Sequence, residues 1–112
     1  MDSTGAQVDW FAVRCIFEIR ANSTSRTYEE RVTLWKAASA AEALARAESE
    51  AEGYAAGVEG NAYLGLAQSY HLFDEPGEGA EVFSLMRDSE LGPSEYISRF
   101  FSVGTEHQGV AE

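Results

Sequence analysis

The sequence predicts an α+β fold: a four-stranded, mainly antiparallel sheet in the order β-β-α-β-β-α, with one long helix packed on one sheet face and a short C-terminal helix. Three observations predict it. Two early segments, 10–20 and 28–37, alternate apolar and polar residues, the period of a half-buried strand. An alanine- and glutamate-rich stretch then opens on a helix-start signal. Two further apolar runs, 63–73 and 80–87, flank a turn rich in proline, glycine and acids.

In the first strand Phe11, Val13, Cys15, Phe17 and Ile19 share one parity, and Arg14, Glu18 and Arg20 the other. A polar connection over 21–26 leads to the second strand, where Tyr28, Val32 and Leu34 share a face. Pairing Arg20 with Thr27 sets Cys15 opposite Val32 and Val13 opposite Leu34, so the apolar faces coincide. In this register Trp10 and Trp35 fall together on the outer face. Glu18 and Glu29 fall there too, among Arg14, Arg20 and Arg31, as an exposed ion-pair lattice of little energetic weight.

Ser39-Ala40-Ala41-Glu42 has the form of a capping box, in which the serine oxygen and the glutamate each satisfy a free backbone N–H. The helix it starts runs from Ala40 to Ala56, with Ala41, Leu44, Ala45, Ala51 and Ala55 toward the sheet. Gly57 is expected as its left-handed cap. The third strand, Tyr63–Phe73, has apolar residues on both faces. Asp74-Glu75-Pro76-Gly77-Glu78-Gly79 is a turn, and Ala80–Arg87 reads as a fourth strand. Pro93 opens a short helix over 94–101, whose Phe100 and Phe101 are expected in the core or at the sheet edge.

The strand Trp10-Phe11-Ala12-Val13-Arg14, the return Tyr28-Glu29-Glu30-Arg31-Val32, the Ala/Glu helix after Ser39 and Gly79-Ala80-Glu81-Val82-Phe83-Ser84 together resemble the bacterial family known as domain of unknown function 4288. The resemblance spans residues 9–103. It implies the element order above and a bacterial, cytoplasmic setting; it brings no activity and no functional residues.

Composition narrows the function classes. The 112 residues carry 19 acids and 8 bases, a formal charge of −11. A surplus of that size repels nucleic acid. It is concentrated: residues 1–56 hold nine acids and six bases, and residues 57–112 hold ten acids and two bases. With 45% hydrophobic residues and thirteen aromatics, the chain can bury a core, and its length suits one domain over 9–103, with flexible termini at 1–8 and 104–112. No run approaches the ~18 apolar residues of a membrane span. The acidic start and the single cysteine are those expected of a cytoplasmic protein. Arginine outnumbers lysine seven to one, as in a GC-rich bacterial genome.

Catalytic vocabulary is sparse. Cys15 lies between Val13 and Phe17 on the apolar face, where a cysteine is a small hydrophobe and not a thiolate. His71 and His107 stand far apart, and neither has local partner ligands for a metal. The acidic turn lacks the alternating oxygen ligands of a calcium loop. The glycines sit in no strand–loop–helix phosphate cradle, and no cofactor is expected.

The expected function is a non-enzymatic, acidic protein-binding module, in its concrete form an immunity-type or antitoxin-like inhibitor of a basic bacterial protein. Asp74, Glu75, Glu78, Glu81, Asp88 and Glu90 would supply the electrostatics, and Trp10, Trp35 and Tyr63 the anchors. Two alternatives stay open: a structural homo-oligomer, with a homodimer as its simplest form, and a hydrolase working through carboxylates alone, which requires a buried, convergent acid pair.

Overall fold

A computed structural model describes residues 7–19, 26–101 and 104–106. Arg20, His107, most of the connection at 21–26 and most of the expected flexible termini lie outside the described residues. Two eleven-residue strands, β1 (Asp9–Ile19) and β2 (Thr27–Ala37), are followed by helix α1 (Ala40–Ala56) and strand β3 (Ala62–His71). A single helical turn, α2 (Pro93–Tyr96), runs into a π-helical extension over Ile97–Phe101. The strands form one antiparallel sheet in the order β2-β1-β3.

The central strand dictates the core. Phe11, Val13, Cys15 and Phe17 point to one face, and α1 covers them with Ala43, Ala47, Ala51 and Ala55. That i, i+4 stripe of methyl groups lets the helix lie close to the sheet. Val13 and Phe17 are fully buried, each stabilising the fold by roughly 1.5–3 kcal/mol through area removed from water. Tyr54 meets Phe17 edge-on at 5.1 Å between ring centroids. At the helix start, Ser39 Oγ accepts from the Glu42 N–H at 3.1 Å, and Glu42 Oε1 accepts from the Ala38 N–H at 2.8 Å. The carboxylate thus reaches one residue beyond the serine N–H of the expected capping box.

Several expectations about the sheet and helices are corrected. The sheet has three strands, not four, and the element order is not β-β-α-β-β-α. Residues 80–89 form no ladder. Their apolar residues fall on both parities, so no single face drives them into register beside β3. Instead Gly79, at φ 80°, turns the chain so that Phe83 lies against the outer sheet face.

The hairpin register is also one residue away from the expected one. Ile19 pairs with Thr27, so Cys15 faces Arg31 and Val13 faces Thr33. A one-residue slip transfers every side chain of a strand to the other face. Val32 and Leu34 therefore stand on the outer face, 43% and 40% exposed, while Arg31 and Trp35 lie under α1. The helix makes this register favourable. Arg31 donates two 2.8 Å hydrogen bonds to the Glu50 carboxylate, and its guanidinium lies 3.8 Å from the Tyr54 ring centroid.

α1 keeps its expected limits but is rotated: Ala43 and Ala47 are buried, and Ala41 and Ala45 are exposed. Gly57 is right-handed at φ −70°; the left-handed residue in that connection is Gly60, at φ 92°. At the other end of the chain, Phe100 and Phe101 are exposed and reach neither core nor sheet edge. α2 and its π-helical extension contact each other and no strand or longer helix.

Candidate protein-binding surface

β3 ends at His71, and Leu72 ties down the exit: it is buried, and its N–H donates to the Trp10 carbonyl at 2.9 Å. From Phe73 onward the chain leaves the body. Pro76, Gly77 and Gly79 shape a turn closed by the Ala80 N–H on the Gly77 carbonyl at 3.0 Å. The segment then crosses the outer sheet face at one point. Tyr70 donates to the Glu81 carboxylate, which raises the phenol's pKa chiefly through that bond. Phe83 lies 5.9 Å from the Tyr70 ring, and the Arg14 guanidinium sits 5.2 Å from the Phe83 centroid. Arg14 in turn donates to Gln68 of β3 and to Glu30 of β2. Beyond this point the described contacts are local, among them a clasp in which Arg87 lies 4.5 Å from the Phe100 centroid and donates to the Tyr96 hydroxyl at 3.2 Å.

All six predicted acids lie on this segment, and all six are exposed. Glu81 is engaged with Tyr70; no hydrogen bond or ion pair joins the side chains of Asp74, Glu75, Glu78, Asp88 or Glu90 to another described residue. Between them Phe73, Leu85 and Met86 are 85%, 43% and 93% exposed. Residues 73–92 contain six acids and one base, Arg87.

The three aromatics do not share a surface. Trp10 is on the outer face with Lys36 Nζ 5.6 Å from its ring. Trp35 is on the helix side, where its indole N–H donates to Thr33 Oγ1 at 2.7 Å and Arg46 lies 5.3 Å from the ring. Tyr63 packs against the core and donates to Glu48. The grouping of Trp10 with Trp35 followed from the slipped register and falls with it. So does the outer-face lattice: Glu29 and Arg31 sit on the helix side, with Glu29 accepting from Tyr54 at 2.8 Å.

The ionisable groups near the core are shifted by burial and by their hydrogen-bond partners. Burial, above all, pushes the Cys15 thiol up. Burial and then the hydrogen bond to Glu48 push the Tyr63 phenol far up. The Arg31 guanidinium holds Glu50 below the usual carboxylate range, the opposite of a proton-donating acid. His71 stacks on Phe11 at 5.0 Å and lies 3.2 Å from the Asp9 carboxylate, with its side chain 48% exposed. Among the described residues no three His, Cys, Asp or Glu side chains gather as a metal site, and no helix is long and apolar enough to cross a membrane. A shallow depression lined by Leu91, Ser94, Glu95, Ser98 and Arg99 is open to solvent.

Two features escaped the sequence reading. The Arg31–Glu50–Tyr54 cluster required the register, which no local signal specified. The Arg14–Phe83–Tyr70 stack required the crossing of the outer face, which the strand-like pattern of residues 80–87 concealed. Compared with protein-family models, curated proteins and solved structures, the chain matches none.

Proposed function

We propose that the chain is a protein-binding module that meets a basic partner with residues 73–92. One observation carries this reading: five exposed carboxylates without described partners share a short segment with exposed Phe73, Leu85 and Met86. Charges of one sign accelerate encounter with an oppositely charged surface, and desolvated apolar side chains then hold the complex. An immunity-type or antitoxin-like inhibitor is the concrete form of this reading. The resemblance to domain of unknown function 4288 fits a bacterial setting for it.

The test is a kinetic one. A partner recovered on the immobilised chain is measured by surface plasmon resonance against the parent and against a variant carrying Asp74→Lys, Glu75→Lys, Glu78→Lys and Asp88→Lys. The association rate of the parent should fall on the order of tenfold or more between low and high salt, and the variant should lose that dependence. Equal rates and equal salt slopes for the two chains would remove the acidic segment from recognition.

A further inference from the structure

The outer sheet face and the chain beyond Phe83 present the same physical problem. α1 covers one side of the sheet only. On the other side Val32, Leu34, Leu64 and Leu66 remain 40–51% exposed. Beyond Phe83 the arm carries Leu85, Met86, Ile97, Phe100 and Phe101, of which Met86 is 93% and Phe101 78% exposed. Apolar surface on this scale marks an interaction site.

We propose that two copies of the chain exchange arms, residues 84–101 of each lying across the outer sheet face of the other in a two-fold dimer. The inference does not rest on the basic-partner reading, but the two share Leu85 and Met86, which the dimer would bury.

Three observations select a second copy as the occupant. The first is continuity: Glu81 and Phe83 already dock on this face through Tyr70 and Arg14, so the arm arrives there and then leaves it uncovered. The second is charge. The chain carries −11, which opposes self-association over most of its surface. On the outer face, however, Arg14 pairs with Glu30, Arg26 with Glu18, and Lys36 lies over Trp10. The charges named on this face sum to +1 and those of residues 84–101 to −1, so the contact itself carries no net like-charge repulsion.

The third is area. Large apolar and aromatic side chains present roughly 150–250 Å² each when fully exposed. Their fractional exposures leave on the order of 1,000 Å² per chain on face and arm together. Burying both sets twice gives about 2,000 Å², the size of a stable interface. The carboxylates of the 73–79 turn stay outside such a contact, so the dimer would display that turn twice.

The experiment uses the full chain in sedimentation velocity and light scattering, from roughly 1 μM to 1 mM. The expected mass moves from 12.2 kDa toward twice that value as concentration rises. Two variants are compared: an arm pair, Met86→Asp with Phe101→Asp, and a face pair, Leu34→Asp with Leu66→Asp. Each should raise the dissociation constant at least about tenfold.

Mixing the two variants should restore association. The arm variant keeps an intact face and the face variant an intact arm, so their heterodimer regains one undamaged contact. Circular dichroism verifies that both variants fold, and the parent mass does not depend on either. Higher salt should tighten the dimer by screening net repulsion, opposite in sign to its effect on a basic partner. A parent that stays at monomer mass throughout, a dimer indifferent to both pairs, or a mixture without complementation would each overturn the proposal.

Discussion

The rotation of α1 can be tested with one substitution placed at two neighbouring positions. Ala47 is 1% exposed beneath the helix, among residues that pack on Phe11, Val13, Cys15 and Phe17. Ala45, two residues earlier, is exposed. Ala47→Leu forces three further carbons into a contact sized for a methyl group. Overpacking of this kind costs about 1–3 kcal/mol. Ala45→Leu replaces one strong helix former by another at the surface, and should change stability by no more than ~0.5 kcal/mol.

The difference between the variants is therefore about 1–3 kcal/mol. In a domain of this size each kcal/mol corresponds to roughly 4–8 °C in Tm. Urea unfolding followed by far-ultraviolet circular dichroism and tryptophan fluorescence measures it, with the midpoint shifting while the slope stays constant. A matched pair cancels propensity and denatured-state effects, so the difference reports burial. If Ala45→Leu proves the costlier change, α1 presents the face read from the sequence and the buried stripe is misplaced. If both are silent, the helix does not lie close on the sheet.

Further tests follow from other parts of the fold. The pKa of Glu50 is depressed in the folded state, first by the hydrogen bonds from Arg31. Its stabilisation is therefore complete above the ordinary carboxylate value and is lost as pH falls through the depressed one. Glu50→Gln should cost no more than about 1 kcal/mol at neutral pH, since both side chains are partly exposed, and the gap to the parent should close in acid; a gap independent of pH would contradict the pairing. Cys15 is buried and its thiol is pushed up, so a disulfide reagent should label it at the rate of unfolding and not in the native state. Fast native labelling would place it at the surface. Gly65 holds φ 83° within β3; Gly65→Ala should cost about 1–2 kcal/mol from conformation alone, read as a lower urea midpoint, because no atom lies within 4 Å of the added carbon.

Much of the fold was legible where local signals were redundant. The central strand announced its core face through Phe11, Val13, Cys15 and Phe17, and Ser39 with Glu42 fixed the helix start. What was not legible depended on choices between near-equal patterns. β2 offers Val32 and Leu34 on one parity and Trp35 and Ala37 on the other, so apolar count alone does not choose a face. The choice is made by Glu50 and Tyr54, which lie beyond the next turn and provide Arg31 with partners under the helix. In α1, eight alanines among seventeen residues make a nearly uniform rod, and its rotation is decided by Leu44, Tyr54 and the large residues of the sheet. The acidic segment was legible as a charge concentration, but its departure from the sheet was not. A run such as Ala80–Arg87 has strand propensity whether or not a neighbouring edge accepts it.

Why the segment crosses a face and leaves both sheet edges free has a physical answer in the edges themselves. β2 is an outer strand carrying Glu29, Glu30, Arg31 and Lys36 among its eleven residues, and charged side chains oppose pairing with a further strand. β3 is the other outer strand. Between Ala67 and Tyr63 it takes four steps while β1 takes two, from Cys15 to Phe17. Gly65, at positive φ, sits inside that bulge. A bulge twists a strand and interrupts the row of backbone groups that a neighbour would need. The edges therefore give little to residues 80–87 or to a strand from another chain. The face, by contrast, gives aromatic and guanidinium contacts at Tyr70 and Arg14 that depend on side chains and not on a continuous ladder. Any partner of this sheet, whether its own arm, a second copy or another protein, is thereby directed to the side opposite α1. The same substitutions at Leu34 and Leu66 that probe arm exchange probe this wider rule, whereas changes confined to the β2 edge should leave association untouched.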